Sequence, residues 1–319
     1  MLKYILKRLA LSVVILLGVS FILYILVQAM PSSYADTLIN QMNQSGNLDE
    51  SAAASIREVY ELSYGEWLGK IVKLDFGTSF KYSIPVVQVI KENMGVSFLV
   101  AAIATVLEFM IAIPLGITAA THQYSFRDYV VTVLVMIGIS LPAFFFGQVL
   151  KRIFAVELGW FPSSGLVDAT QTSTGIAYIL EYIRSLVIPI MTVVVLSIGG
   201  RMRMTRTNML EVLNSDYIRT ARAKGLKERV VIYKHAFRNT MIPLVTSLAG
   251  LLPSLFSGAI ITEQVFDLPG IGNKAYQAMI AGDVPLIMGY NMFLALLSII
   301  GVLLADIMYA VVDPRVKLK

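Results

Sequence analysis

In a chain of 319 residues with no cysteine and two histidines, few side chains could do chemistry. His122 and His235 lie far apart and form no ligand-spaced motif, and there is no thiol to act as nucleophile or metal ligand. No G-x-x-x-x-G-K-[ST] run occurs, so the chain has no phosphate-cradling loop of that kind. Glu108 and Asp306 are the carboxyls that fall inside long apolar runs. Acids at membrane depth are costly and often functional. Glu108 reads either as a polar group on a pathway or as a carboxyl that protein or water satisfies near one end of its run. An ion-coupled secondary transporter would have to build its coupling site from Glu108 and Asp306. An intramembrane enzyme would need a nucleophile paired with a base, and no such constellation is visible.

The densest chemistry is a charge pattern. Between Arg201 and Arg238 lie ten of the 26 Lys and Arg, against three acids, Glu211, Asp216 and Glu228. Long apolar runs flank the segment, and Lys and Arg beside membrane spans are retained on the cytoplasmic side. Ile218, Ala221, Gly225 and Leu226 recur three to four residues apart, apart from the final adjacent pair, which is a helical spacing. Arg219, Arg222 and Lys224 fill the positions between them. Gly225 falls at a helix C′ position with Lys224 in the last turn. Lys227 to Arg238 suits a second short helix, and Pro243 opens the next apolar run, where a missing N–H costs least. The local expectation is helix, glycine turn, helix, lying along the membrane surface.

The rest of the chain must position that loop. Hydrophobic residues make up 56% of the chain and charged residues 15%, against about 25% charged in soluble domains, and mean hydropathy is +0.72. This is an integral membrane protein, expected to be all-α. Six spans are expected: Leu9 to Ala29, Val96 to Ala120, Tyr129 to Ile153, Leu186 to Gly200, Met241 to Thr262 and Leu286 to Val312. The first run is longer than the apolar core of a signal peptide, so it reads as a span. Residues 31–93 carry eight acids against five bases and read as an external segment, either a small ordered subdomain or a linker. Pro142 is expected to kink the third span, as a hinge, a cavity wall or a packing kink. The fifth span is rich in small residues, which allow close helix approach, and it lies either beside a polar pathway or in ordinary tight packing. With both termini inside, seventeen Lys and Arg fall on the cytoplasmic side and nine outside.

DYIRTARAKG followed by HAFRNTMIPL resembles the cytoplasmic coupling loop of ABC-importer permeases, in the variant of the oligopeptide/dipeptide permease family. Arg219, Thr220 and Ala221 depart from the general importer pattern, as does the longer spacing from Gly225 to Pro243, in the direction of the peptide branch. KLDFGTSF, IPLGITAA, LGWFPSSG, the run Glu263-x-x-Phe266-x-x-Pro269-Gly270-x-Gly272 followed by Asp283-x-Pro285, and the Asp313-Pro314-Arg315 tail resemble the same family in the same order. The likeness covers nearly the whole chain.

The resemblance implies a type I ABC-importer permease architecture. Residues 1–95 hold the first helix and the external subdomain, and residues 96–319 form a five-helix core with the coupling loop at 201–240. The ATPase-coupling residues would be Tyr217, Arg219, Thr220, Ala221, Arg222, Ala223, Lys224, Gly225 and Leu226. The basic ones would pair with acids at the edge of a groove on the ATPase. Glu263, Phe266, Pro269, Gly270 and Gly272 would shape the external mouth. The implied partners are a second homologous permease, two ATPase subunits, an external substrate-binding protein and membrane lipid, with no nucleic acid. The chain itself would bind no cofactor and no metal, and ATP and Mg would sit on the ATPase subunits. The implied location is a bacterial cytoplasmic membrane. Peptide is the implied cargo; nickel chelates or glutathione are alternatives within the family.

Overall fold

The computed structural model describes residues 2–30, 33–44, 50–167, 175–247, 251–257 and 259–312. The Asp313-Pro314-Arg315 tail, part of the loop after the third span and Ala249, Gly250 and Gly258 of the small-residue run lie outside them. Among the described residues the elements are helical, with one isolated β-bridge between Thr78 and Pro85.

The N-terminal part comprises α1 (Leu2–Gln28), α2 (Ser33–Gln44), α3 (Glu50–Glu61) and α4 (Tyr64–Val72). The segment read as external is thus helical and packed. Ile56, Trp67, Ile71 and Phe80 form one buried cluster with Val27 of α1 and with Val284, Met288 and Met292 further along the chain. A capping box starts α4: Ser63 Oγ accepts from the Glu66 backbone N–H, and the Glu66 carboxylate accepts from the Ser63 N–H, satisfying donors the helix leaves open.

Two long helices form the centre: α5 (Val86–Thr121) and α8 (Ile176–Leu213). At about 1.5 Å per residue both exceed what a ~30 Å hydrocarbon core requires. Residues 86–95, ahead of the apolar run read as the second span, are the first turns of α5 itself. The fourth span likewise does not stop at Gly200; α8 runs on to Leu213 and carries Arg201, Arg203 and Arg206 with it. The two helices pack closely at Gly116, where a Cβ would lie 2.7 Å from Thr205 Cβ and 2.8 Å from the Met202 carbonyl oxygen. Only hydrogen fits there.

Between them, α6 (Phe126–Ser140) and α7 (Ala143–Leu150, continuing as a π-helical stretch Lys151–Glu157) meet at a 101° bend. The expected kink at Pro142 is therefore a full break. Leu141 is extended (φ −84°, ψ 131°), because the proline ring disfavours a helical residue before it.

After α8 come α9 (Asp216–Ala223), α10 (Glu228–Val230, with a π-helical continuation Val231–Ala236) and α11 (Phe237–Ser247). Pro243 does not open a helix; it lies inside α11. The stretch read as a fifth span is built from α11, α12 (Leu251–Ser257) and α13 (Ile260–Val265). Then follow α14 (Ile271–Ala281) and α15 (Val284–Val312). Among the described residues, four helices are long and apolar enough to cross a membrane: α1, α5, α8 and α15. The bent α6–α7 pair makes up to five. Arg8 on α1 pairs with Asp306 on α15 at 3.2 Å, tying the start of the first span to the end of the last.

Candidate coupling surface and membrane cavity

Two residues separate the end of α8 from the short helix α9, with Ser215 in extended conformation at the corner. Its apolar positions face inward. Ile218 (0% exposed) and Ala221 (7%) join Ile117 and Ala120 at the end of α5, Met209 of α8, and Val231 and Ala236 beyond the turn. Burying Ile218 alone contributes about 1.5–3 kcal/mol. The helix is therefore keyed to the ends of the two central spans.

The turn closes as the glycine spacing predicts. Gly225 has φ +76°. Its N–H donates to the Arg222 carbonyl at 2.9 Å, and the Leu226 N–H reaches back to the Ala221 carbonyl at 3.4 Å. This is the paired-bond C-terminal motif that needs a left-handed residue at C′. Tyr217, Arg219, Thr220, Arg222, Ala223, Lys224, Gly225 and Leu226 are exposed on the outer side. Ala221 is not; it faces the protein's own core, a place its residue type alone could not reveal.

Two of the basic side chains are already engaged within the chain. Arg222 binds Glu228 across the turn through two hydrogen bonds, at 2.7 and 3.2 Å. Arg219 lies 3.6 Å from Asp216. The guanidinium holds the Glu228 carboxyl below its ordinary range, by hydrogen bonding first and charge second. Tyr217 Oη accepts from Asn239 Nδ2 at 2.7 Å, fixing the ring beside the start of α11.

At the other end, the Glu263 run forms a buried latch. Glu263 is fully buried. Its carboxylate accepts from Ser97 Oγ at 2.6 Å and from the Asn273 N–H at 2.9 Å, and Ser97 Oγ accepts in turn from the Ile271 N–H at 2.9 Å. The Glu263 carboxyl therefore caps the open N–H groups at the start of α14. A Cβ on Gly270 would lie 2.3 Å from Glu263 Oε2 and one on Gly272 2.9 Å from it, so both glycines make room for the carboxylate. Phe266 is buried in the cluster with Leu268, Val100 and Leu186, whereas Pro269 is exposed. Asp283 works alongside: it accepts from Ser79 Oγ, from the Lys81 N–H at 3.2 Å and from the Leu286 N–H at 3.3 Å. The DFGTSF and Asp-x-Pro motifs are thus joined to each other. Ser97 carried no signal in the sequence.

The carboxyls at membrane depth each meet an arginine. Glu108 Oε1 accepts from Arg201 Nε at 3.1 Å, and Arg201 Nη1 donates to Ser247 Oγ at 2.8 Å. The guanidinium also lies over the Phe109 ring, 4.5 Å from its centroid. Glu108 and Arg201 line a cavity of about 570 Å³ that Thr105, Ser197, Ser254 and Ala259 help to form. Glu108 thus shows both of the features expected as alternatives, a partner and a cavity. Small residues of α12, from the run read as a fifth span, lie on the same cavity. Among the described residues no group of three or more His, Cys, Asp or Glu is arranged to hold a metal ion.

The chain is 36% identical over 319 residues to the oligopeptide transport system permease protein AppB of Bacillus subtilis, covering 99% of this chain and all of that one. It is 32% identical to the dipeptide transport system permease protein DppB of Alkalihalophilus pseudofirmus, over 99% of this chain and all of that one. Among solved structures, the inward-facing MetNI methionine ABC transporter superposes with a TM-score of 0.56, covering 71% of this chain and 97% of that one at 17% identity. That likeness shows the fold, an ABC-importer permease architecture. The family described as binding-protein-dependent transport system inner membrane component matches residues 112–318, and the chain belongs to it.

Proposed function

We propose that the chain is one transmembrane half of an ATP-driven importer of oligopeptides or dipeptides. It pairs with a second, homologous permease, two ATPase subunits that bind ATP and Mg, and an external binding protein that delivers cargo. Both termini lie in the cytoplasm. The observation that carries this reading is α9, exposed on its outer side and keyed through Ile218 and Ala221 to the ends of α5 and α8. An ATPase closing beneath it would move both central helices together and rock the cavity from one side of the membrane to the other. The peptide relatives, matched from end to end, support the cargo assignment. An ion-coupled transporter is the weaker reading, because Glu108 and Asp306 are each paired with an arginine.

Co-purification from gently solubilised membranes tests the assembly. Leu226 is exposed at the turn, so Leu226→Glu alters the outer surface and leaves the core intact. The wild-type chain brings down the ATPases and the second permease, and the variant keeps the permease but loses the ATPases. If the wild type comes out alone and still transports without any ATPase, the importer reading fails.

A further inference from the structure

Glu108 and Arg201 are an unusual lining for a cavity within a membrane protein. Their side chains are 10% and 15% exposed, enough for both to reach the open space. The surrounding wall is mainly apolar, with the hydroxyl residues Thr105, Ser197, Ser254 and Ser257 as its neutral polar groups. Inside such a wall, separating the pair without replacement would leave two uncompensated charges, which is strongly unfavourable. A ligand carrying one anion and one cation avoids that cost. Its carboxylate takes Arg201 and its ammonium takes Glu108, so every charge keeps a partner and the net charge of the cavity stays zero.

Other features fit the exchange. The bonds to Glu108 and Ser247 occupy two of the five N–H donors of Arg201. A guanidinium suits bidentate binding of a carboxylate. The stack on Phe109 holds the group in place from a side that uses none of its donors. A cavity of about 570 Å³ is within the usual range for small-molecule sites, roughly 300–1,000 Å³. The arginine also joins three helices, α8, α5 through Glu108 and α11 through Ser247, so an arriving carboxylate would loosen the bridge between them as it binds.

We infer that Arg201 and Glu108 form a transit subsite for the charged termini of a zwitterionic peptide, Arg201 taking the C-terminal carboxylate and Glu108 the N-terminal ammonium. The inference rests on the peptide-importer reading and deepens it.

The test uses the complete importer in proteoliposomes with its binding protein, and trialanine and trialanine amide as probes. Uptake of each is measured for wild type, for Arg201→Gln and for the double variant Arg201→Gln/Glu108→Gln, which leaves no buried charge unpaired. The binding protein contributes the same factor in every complex, so a change in the trialanine-to-amide ratio reports the membrane cavity alone. The expected result is a ratio about tenfold lower in both variants than in wild type, the order of one lost charge-assisted contact. A purely structural pair would lower uptake of both probes equally; an unchanged ratio overturns the subsite while the importer reading stands. If wild type imports neither probe although its ATPase responds to the loaded binding protein, the peptide reading fails, and the subsite with it.

Discussion

Gly270→Ala is the smallest change that should break the buried latch at Glu263. Gly270 has φ −94°, a conformation alanine adopts freely, so the whole cost is steric. The new methyl carbon would lie 2.3 Å from Glu263 Oε2, 2.4 Å from Cδ and 2.6 Å from Ser97 Oγ. None of these atoms can yield easily, because each is held by hydrogen bonds at 2.6–2.9 Å. The carboxylate must leave the start of α14. Losing its two hydrogen bonds at about 1.5–3 kcal/mol each gives a destabilisation of about 3–6 kcal/mol. At roughly 2–4 °C per kcal/mol for a large domain, the unfolding midpoint in detergent should fall on the order of 10 °C. Gly69→Ala is the internal control. Gly69 sits in α4 with nothing within 4 Å of a built Cβ, and alanine there should add up to ~1 kcal/mol of helix stability. The assay is thermal unfolding of the purified protein followed by loss of the monodisperse chromatographic peak. If Gly270→Ala melts within a degree of wild type, the carboxylate is not fixed as described and the reasoning fails.

Other outcomes follow from the same geometry. Gly225→Val forces a β-branched residue to φ +76°; insertion into the membrane should be normal while ATP-driven uptake by the assembled importer falls several-fold, and normal uptake would count against the turn as a lever. Ala221→Glu should disturb the protein's own core at α9 before it affects any partner, seen as faster amide exchange of α9 in the isolated chain; unchanged exchange would refute that placement. Removing Arg206, whose guanidinium binds Asp128 at 2.9 and 3.1 Å, strips a buried carboxylate of its charge partner and leaves it only the Tyr124 N–H and the Thr132 hydroxyl. Arg206→Ala should destabilise by about 3–5 kcal/mol, checked by the same melting assay. The Arg222–Glu228 pair sets a pH window. Glu228 titrates below its ordinary value of 4.5, so its contribution is complete above about pH 4.5 and is lost as pH falls through the depressed value. Both side chains are about half exposed, which limits the effect to at most ~1 kcal/mol. Exchange rates in the 216–230 segment should therefore be flat from pH 6 to 8 after correction for intrinsic rates, and a change within that range would refute the assignment.

The legible parts of the chain are those governed by local chemistry. The spans follow from runs of apolar residues, since a backbone in lipid must satisfy itself within a helix. The turn at Gly225 was readable because a left-handed C′ position selects glycine whatever surrounds it. Proline shows the limit of such reading. Pro142 breaks its span outright, while Pro114 and Pro189 sit inside α5 and α8. Each of the three introduces the same local defect, a missing N–H and a ring against the preceding turn. At Pro142 the chain past the break is held by new contacts: Gly147 of α7 packs against Val265 and Phe266. The length of α8 was also hidden, because its continuation past Gly200 is polar and helix-friendly like any surface loop.

By itself, then, the sequence determined the class, the long apolar runs that become α1, α5, α8 and α15, and the glycine turn at Gly225, because hydropathy and backbone preference act over a few residues. Tertiary structure decided which distant groups meet. Glu263 finds Ser97 across 166 positions, Arg201 finds Glu108 across 93, and Asp283 finds Ser79 across 204. These pairings carry no short-range signal. Each exists because burial in an apolar surrounding makes an unpaired charge or hydroxyl too costly, so packing selects the fold in which all of them are matched at once.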